Sequence, residues 1–294
     1  MKTPVFTGSS VAVVTPYDGD GIDYPALAGI IDWQIEQGTN AITVCGTTGE
    51  SSTQSLEEHI RVVDFCVKHV NRRVKVVAGT GSNDTAAALL LSAEAEKSGA
   101  DGLLIVTPYY NKATQKGLIE HYTHIADRVM TPIIMYNVPS RTSLSFTAAT
   151  YKELSKHPNI NGVKEASGSF PLIAQTVALC GGEFNVWSGN DNETVAMMAL
   201  GAAGVISTSA NVIPSVMAEI TARCLAGNFR EATALQSEYL ELMDALFLEV
   251  NPIPVKTALN LMGKKAGKLR LPLCEMEPRN LEKLKSAMAK SGLL

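Results

Sequence analysis

Lys164 lies in Ile160-Asn161-Gly162-Val163-Lys164-Glu165-Ala166-Ser167, a short apolar run with the character of a buried strand. Burial disfavours an ammonium ion, so a lysine in such a run is driven toward the neutral amine. A neutral amine can attack a carbonyl and form a Schiff base. The run equally fits a lysine at a strand end, with a buried stem and a head that reaches water. Other reactive residue types follow apolar runs: Gly46-Thr47-Thr48-Gly49-Glu50-Ser51, Thr107-Pro108-Tyr109-Tyr110-Asn111, Tyr136-Asn137-Val138-Pro139-Ser140-Arg141 and Ser188-Gly189-Asn190-Asp191. Paired hydroxyls and open backbone N–H groups at Thr47 and Thr48 suit a bound carboxylate. No Gly-Lys-Ser/Thr follows, so the turn is not a P-loop. Each feature also has an ordinary reading. The glycines relieve strain between a strand and a helix, Tyr136 is a packed ring, Tyr109 and Tyr110 are a loop platform, and Arg141 is a solvated charge. Together, Lys164, Tyr136, Thr47, Thr48 and Arg141 fit Schiff-base chemistry on an α-keto acid. The lysine bonds the carbonyl carbon, the tyrosine moves protons, and the arginine grips a second carboxylate with both nitrogens.

Such residues need elements to hold them. Short β-branched runs recur about every thirty residues: Val11–Thr15, Ala41–Cys45, Val74–Ala78, Gly102–Thr107, Pro132–Tyr136, Ile160–Lys164, Phe184–Ser188 and Gly204–Ser207. Helical segments alternate with them. Ser55 and Glu58 make a capping box before Ile60, Val63, Val67 and Val70. Asn83 can cap Thr85 to Lys97, which stops at Gly99; Thr147 caps the helix ending before Pro158; and Asn190 to Asn192 cap Val195 to Leu200. Eight strands alternating with helices predict a parallel sheet, closed as a (β/α)8 barrel whose site lies at the carboxyl ends of the strands. An open doubly wound sheet is the rival, weakened in its dinucleotide-binding form because no GxGxxG follows the first strand. Gly227-Asn228 breaks the alternation. Residues 1–227 are thus expected to form the barrel, and 228–294 a helical extension of Glu231–Leu248, Pro254–Met262 and Arg279–Lys290.

Composition narrows the partners. The chain has 294 residues, 46% hydrophobic and 18% charged, enough to bury a sizeable core. A net charge of -4 without a long basic run argues against nucleic acid. No secretory leader or membrane-length apolar stretch is present, so a cytoplasmic, unexported protein is expected. The five scattered cysteines read as reduced thiols, and the Asn83 and Asn192 glycosylation patterns as chance matches. His121 and His124, at i,i+3, lack a carboxylate or cysteine to complete a metal set and are placed outside the barrel. Glu50 and Asp191 read as caps or loop charges, not as a catalytic pair.

Gly46-Thr47-Thr48-Gly49-Glu50, Tyr136-Asn137-Val138-Pro139-Ser140-Arg141-Thr142 and Gly162-Val163-Lys164-Glu165-Ala166 resemble the 4-hydroxy-tetrahydrodipicolinate synthase family, among the class I aldolases related to N-acetylneuraminate lyase. The resemblance covers essentially the whole chain, including Asn251-Pro252-Ile253-Pro254-Val255-Lys256. It implies a (β/α)8 barrel with C-terminal helices and a lyase that condenses pyruvate with L-aspartate 4-semialdehyde on the route to diaminopimelate and lysine. It matches Lys164 to the Schiff-base lysine, Tyr136 to the proton-transfer tyrosine, and Thr48 to the link between that tyrosine and a second one. The second tyrosine is matched by Tyr110 and supplied across a dimer interface. Thr47 matches the neighbouring hydroxyl, Arg141 the receiver of the semialdehyde carboxylate, and Gly189 and Ile206 backbone positions of the pocket. No metal or organic cofactor is implied, and the family suggests a tight dimer, often paired into a tetramer.

Three rivals remain: a sugar-acid lyase of the same superfamily, a silent keto-acid-binding barrel, and a metal-dependent aldolase. The Ser-Arg-Thr after Tyr-Asn-Val-Pro argues against the first, and the intact Lys164, Tyr136, Thr48 and Tyr110 set against the second. Ser51, His59, Asn83 and Tyr109 match polar positions of the family's lysine-inhibition site. Leu56 and Ala87 stand where sensitive members carry a histidine and a glutamate. Weak or absent inhibition by lysine is the expectation.

Overall fold

The computed structural model describes residues 1–19 and 21–294. Eight parallel strands close into a barrel: β1 Gly8–Ala12, β2 Ala41–Val44, β3 Lys75–Gly79, β4 Gly102–Val106, β5 Ile133–Asn137, β6 Ile160–Glu165, β7 Asn185–Ser188 and β8 Gly204–Ser207. Each strand pairs with its neighbours in sequence, and β1 closes the ring by pairing with both β8 and β2. The open-sheet alternative is therefore excluded. The barrel helices are α1 Tyr24–Glu36, α2 Leu56–Val70, α3 Thr85–Ser98, α4 Gln115–Ala126, α5 Ala148–Leu154, α6 Phe170–Cys180, α7 Thr194–Ala199 and α8 Pro214–Leu225. Then follow α9 Phe229–Glu238, α10 Leu240–Ala245, α11 Ile253–Leu261 and α12 Pro278–Lys290.

Alternation along each strand builds two apolar layers. Outward side chains such as Val11, Ile42, Leu103, Ile105, Ile133 and Val163 pack beneath the helices. Inward ones, including Ala12, Ala41, Val77, Leu104, Ile134, Trp187 and Ile206, fill the barrel. Phe6 stacks on Trp187 at 5.3 Å, and the Trp187 Nε1–H donates to the Phe6 carbonyl at 3.1 Å. Each such buried side chain contributes about 1.5–3 kcal/mol.

The capping signals form largely as read. Ser55 Oγ accepts from the Glu58 amide and Glu58 Oε2 accepts from the Ser55 amide, completing the box on α2. Thr147 caps α5, and Gly99 ends α3 in the left-handed region. No side chain caps α7, where Asn190 to Asn192 are expected to, and several strand ends shift by one residue. Three further boundaries differ. β1 begins at Gly8, three residues before the expected run: Ser10 Oγ lies 2.7 Å from Thr43 Oγ1 and the Ser9 amide donates to Asn40 Oδ1 at 2.8 Å, so the strand extends through both serines. Asp84, not Asn83, caps α3, its carboxylate accepting from the Ala86 amide. The single helix expected over Glu231–Leu248 is divided at Tyr239 into α9 and α10.

Candidate functional site

The register of β5 and β6 places Tyr136 beside Lys164, and that of β6 and β7 places Lys164 beside Trp187. All three point inward. Lys164 is 6% exposed and its amine stands 4.5 Å from the centre of the Tyr136 ring. None of the described residues gives that amine a hydrogen-bond acceptor. Instead the amine borders a cavity of about 160 Å³ lined by Thr47, Thr48, Tyr136, Arg141, Lys164 and Gly189, among others.

Gly189 makes the room. A β-carbon there would stand 3.1 Å from Lys164 Cε and 2.6 Å from Ala166 Cβ, so any side chain would press on the lysine. Thr48 is buried in the Gly46–Gly49 turn, where its Oγ1 accepts from Asn251 Nδ2 at 2.8 Å and lies 3.5 Å from Thr208 Oγ1. Arg141 stands in a helical turn, Pro139–Thr142, directly after β5, and its Nη2 donates to the Asn251 carbonyl at 3.4 Å. A guanidinium at the rim, opposite a buried amine, suits a substrate carrying a carboxylate at the end away from its reacting carbon.

Two expected residues stand elsewhere in the single chain. Ile206 is fully buried in the inner apolar layer, and Thr208, two residues further on, borders the cavity in its place. Tyr110 is 91% exposed, held at φ +68° on the loop after β4, and lines no part of this cavity. The tyrosine-to-tyrosine link through Thr48 is therefore not made within one chain. Sequence reasoning missed Asn251 as a site residue. It precedes the Pro-Ile-Pro turn into α11, and its only signal was an amide amid apolar residues. Phe247, just after α10, also reaches the cavity.

Glu50 and Asp191 take structural posts. Glu50 Oε1 accepts from Lys256 at 2.7 Å, and Asp191 Oδ2 accepts from the Thr208 and Ser209 amides at 3.1 and 2.8 Å. His121 lies outside the barrel on α4, its Nδ1 2.9 Å from Thr85 Oγ1, and burial lowers its pKa to about 4. Among the described residues no three His, Cys, Asp or Glu side chains gather as a metal site.

A second cavity, of about 410 Å³, adjoins the first through Thr47, Tyr136 and Arg141. Ser51, Leu56, His59, Ala87 and Tyr109 line it, so five residues from four separate segments meet there. Asn83 does not line it; its carbonyl accepts from Asn111 Nδ2 at 2.9 Å. His59 Nε2 is 2.7 Å from the Gly79 carbonyl, and burial holds this imidazole below its usual pKa.

A model of the dihydrodipicolinate synthetase (DHDPS) family matches residues 5–291. The chain belongs to that family. A 4-hydroxy-tetrahydrodipicolinate synthase of Thermoanaerobacter sp. (strain X514) is 52% identical over 292 residues, which cover 99% of this chain and 98% of that one. The chloride-inhibited dihydrodipicolinate synthase from Acinetobacter baumannii, whose crystal structure holds pyruvate, is 42% identical with a TM-score of 0.96, covering 98% and 99% of the two chains. The DHDPS of Cyanidioschyzon merolae, solved with lysine bound, is 35% identical with a TM-score of 0.96 over 99% of this chain and 100% of that one. Membership is consistent with the barrel and with a lysine at its carboxyl end; no helix among the described residues is long and apolar enough to cross a membrane.

Proposed function

We propose that the chain is a lyase of the class I aldolase type that condenses pyruvate with L-aspartate 4-semialdehyde to give 4-hydroxy-tetrahydrodipicolinate, in lysine and diaminopimelate biosynthesis. The observation that carries this reading is a buried, acceptor-free Lys164 amine facing a cavity with Tyr136 beside it and Arg141 at its rim. The neutral amine adds to C2 of pyruvate, and loss of water leaves an imine. Its cationic nitrogen draws electrons from the methyl group, which gives up a proton and becomes an enamine carbon. That carbon attacks the aldehyde, forming the new C–C bond. The amino group of the adduct then displaces Lys164 from C2, closing the ring and freeing the lysine. Tyr136 is placed to carry protons, Thr47 and Thr48 to receive the pyruvate carboxylate, and Arg141 the semialdehyde carboxylate. Gly189 leaves the space the imine needs.

Tyr110 completes the site from a second copy of the chain, in a tight dimer that pairs into a tetramer. Its exposure, with that of Tyr109, Leu56 and Leu90, supports this assembly: four large apolar side chains facing solvent on one monomer favour a covered surface. Residues 1–227 serve as the catalytic barrel, and 228–294 as a helical extension that supplies Asn251.

Incubation with pyruvate and borohydride, followed by intact mass, tests the chemistry. One reduced pyruvate adduct on Lys164 is expected, and product from pyruvate and aspartate semialdehyde in a coupled assay. An unmodified chain overturns the reading. Mixing Lys164→Ala chains with Tyr110→Phe chains tests the assembly. Hybrid dimers regain activity if Tyr110 crosses the interface and gain none if it does not.

A further inference from the structure

Lys164 and Tyr136 are each followed by a polar residue that the strand pleat turns away from the cavity. Asn137 and Glu165 are register partners, both buried, on the outer face of the barrel beneath α5. Glu165 faces no cation among the described residues, yet four contacts from three donor groups converge on it. Oε1 accepts from Asn137 Nδ2 at 3.0 Å and from the Ser167 amide at 2.9 Å. Oε2 accepts from Asn137 Nδ2 at 3.1 Å and from the Tyr151 hydroxyl at 2.7 Å. The Glu165 carbonyl in turn accepts from the Gly189 amide at 2.8 Å, and the Ala166 amide donates to the Asn137 carbonyl at 2.9 Å. One residue thus ties the end of β6 to β5 through its side chain, to β7 through its backbone, and to α5 through Tyr151.

A buried carboxylate without a cation is costly, and burial raises the Glu165 pKa against the donors that lower it. A well-packed apolar side chain would hold strand and helix together at less expense. What an apolar residue cannot do is accept from three donors of fixed direction at once, and that requirement fixes geometry. The strand ends fixed in this way are the ones that carry Lys164 and Tyr136.

We propose that Glu165 is a positioning residue for the Schiff-base reaction: from the outer face of the barrel it locks the ends of β5 and β6 so that the Lys164 amine stands at its attacking position beside Tyr136. The inference rests on the reading of Lys164 as the imine-forming residue. It assigns Glu165 no contact with substrate and no part in moving a proton. Its effect is expected on imine formation and not on grip of the second substrate, because the Arg141 guanidinium is held by the Asn251 carbonyl and not by Glu165.

The test compares Glu165→Gln, Glu165→Leu and Tyr151→Phe with the wild-type chain. The rate of borohydride-trapped pyruvate adduct and the KM for the semialdehyde are both measured. Glutamine keeps one acceptor oxygen but turns an NH2 group toward donors; leucine keeps none. A reacting group misplaced by about 1 Å loses on the order of 100-fold in rate. Trapping is therefore expected to slow by about 100-fold for leucine, about 10-fold for glutamine and about 3-fold for Tyr151→Phe, while the semialdehyde KM stays within about twofold. Trapping at the wild-type rate in folded Glu165→Gln and Glu165→Leu overturns the proposal. So does a loss shared equally by trapping and KM, the mark of a general loosening. If the leucine variant does not fold, the other two decide by the same criteria. A wild-type chain that traps no pyruvate overturns the proposed function itself and this inference with it; a wild-type chain that traps normally beside unaffected variants overturns the inference alone.

Discussion

Two lysines in this molecule share the same first description and have opposite surroundings. Lys164 and Lys256 are both buried, at 6% and 1% exposure, and both stand over a tyrosine ring, at 4.5 Å from Tyr136 and 4.6 Å from Tyr17. Lys256 is surrounded by acceptors: Glu50 Oε1 at 2.7 Å, the Thr15 carbonyl at 3.0 Å and the Lys268 carbonyl at 2.6 Å. Burial lowers its pKa and Glu50 opposes that, so the pair is held as an ion pair. Lys164 has a cavity where Lys256 has a carboxylate. Burial by itself therefore says little about chemistry. An ammonium that has been given its acceptors is structural, whereas a buried amine left without them remains available to a carbonyl.

The two regions are joined. Glu50 closes the turn that begins at Gly46, so the Lys256 pair fixes the loop that presents Thr47 and Thr48 to the cavity. Thr15 Oγ1 and Gln54 Nε2 both donate to the Gly49 carbonyl, at 2.7 and 3.0 Å, from the same side. The ion pair on one side of the turn holds still the hydroxyls on the other.

The largest effects should separate the lysines outright. Lys164→Ala is expected to abolish pyruvate trapping and lower turnover by several orders of magnitude, and Lys164→Arg nearly as far, because a guanidinium stays protonated. Its midpoint in denaturant should hold or rise, since it removes a buried group without a partner. Lys256→Met should do the reverse. It strands Glu50 in the interior and costs about 3–5 kcal/mol, while Lys256→Met with Glu50→Gln recovers much of the loss. Urea unfolding of the four variants measures this. Equal destabilisation by Lys164→Ala and Lys256→Met would erase the distinction.

This pair also marks how far the sequence could be read. Strand positions were legible because β-branched runs, caps and glycine stops repeat in step, and most of the polar residues that end those runs do line one cavity. A lysine in an apolar run, however, describes Lys256 as readily as Lys164. The difference lies in Glu50 and in the carbonyls of Thr15 and Lys268, two of which are more than 200 residues away in the chain. Asn251 escaped for the same reason: its partner Thr48 is 203 residues distant. The early start of β1 escaped because Ser9 and Ser10 look like loop residues until Thr43 stands opposite Ser10 and Asn40 takes the Ser9 amide. Tyr110 could be placed in a role only by resemblance, since no pattern within one chain says which copy's site it enters.

Arg141 sharpens the comparison from the substrate side, as a cation that the proposed reaction would pair with the semialdehyde carboxylate. Arg141→Ala should leave imine formation with pyruvate nearly intact and reduce kcat/KM for the semialdehyde by about 10- to 100-fold, the worth of one charged hydrogen bond. Failure of pyruvate trapping with normal use of the aldehyde would assign the arginine to the wrong substrate. Free lysine extends the test to an ammonium that the resemblance would seat in the 410 Å³ cavity. His59 there is engaged with the Gly79 carbonyl, and Ala87 offers no carboxylate. Inhibition is expected to be about 10- to 100-fold weaker than in a site with the carboxylate. Titration at subsaturating pyruvate checks it, and Ala87→Glu should strengthen inhibition. Half-inhibition of the unaltered chain well below about 1 mM would mean that another group takes the ammonium.

The smallest expected effect probes the outer edge of the Lys256 region, where Arg270 continues the charge network. Its guanidinium stands 4.1 Å from the Tyr17 ring and grips Glu58 through both nitrogens, at 2.8 and 2.7 Å. Arg270 and the Ser55 amide hold the Glu58 carboxyl at a pKa of about 2. A carboxyl depressed in the folded state stabilises above its unfolded pKa, near 4.5, and the gain fades as pH falls toward 2. Both side chains are about one-fifth exposed, so solvent screening leaves about 1–2 kcal/mol of that gain. Glu58→Gln should therefore lower the melting temperature by a few degrees at pH 7 and by little near pH 2, narrowing its gap to the unaltered chain across that window. Parallel curves for Glu58→Gln and the unaltered chain from pH 5 to 2 would show that Glu58 is not held by charge, and the contrast would then rest on Glu50 and Lys256 alone.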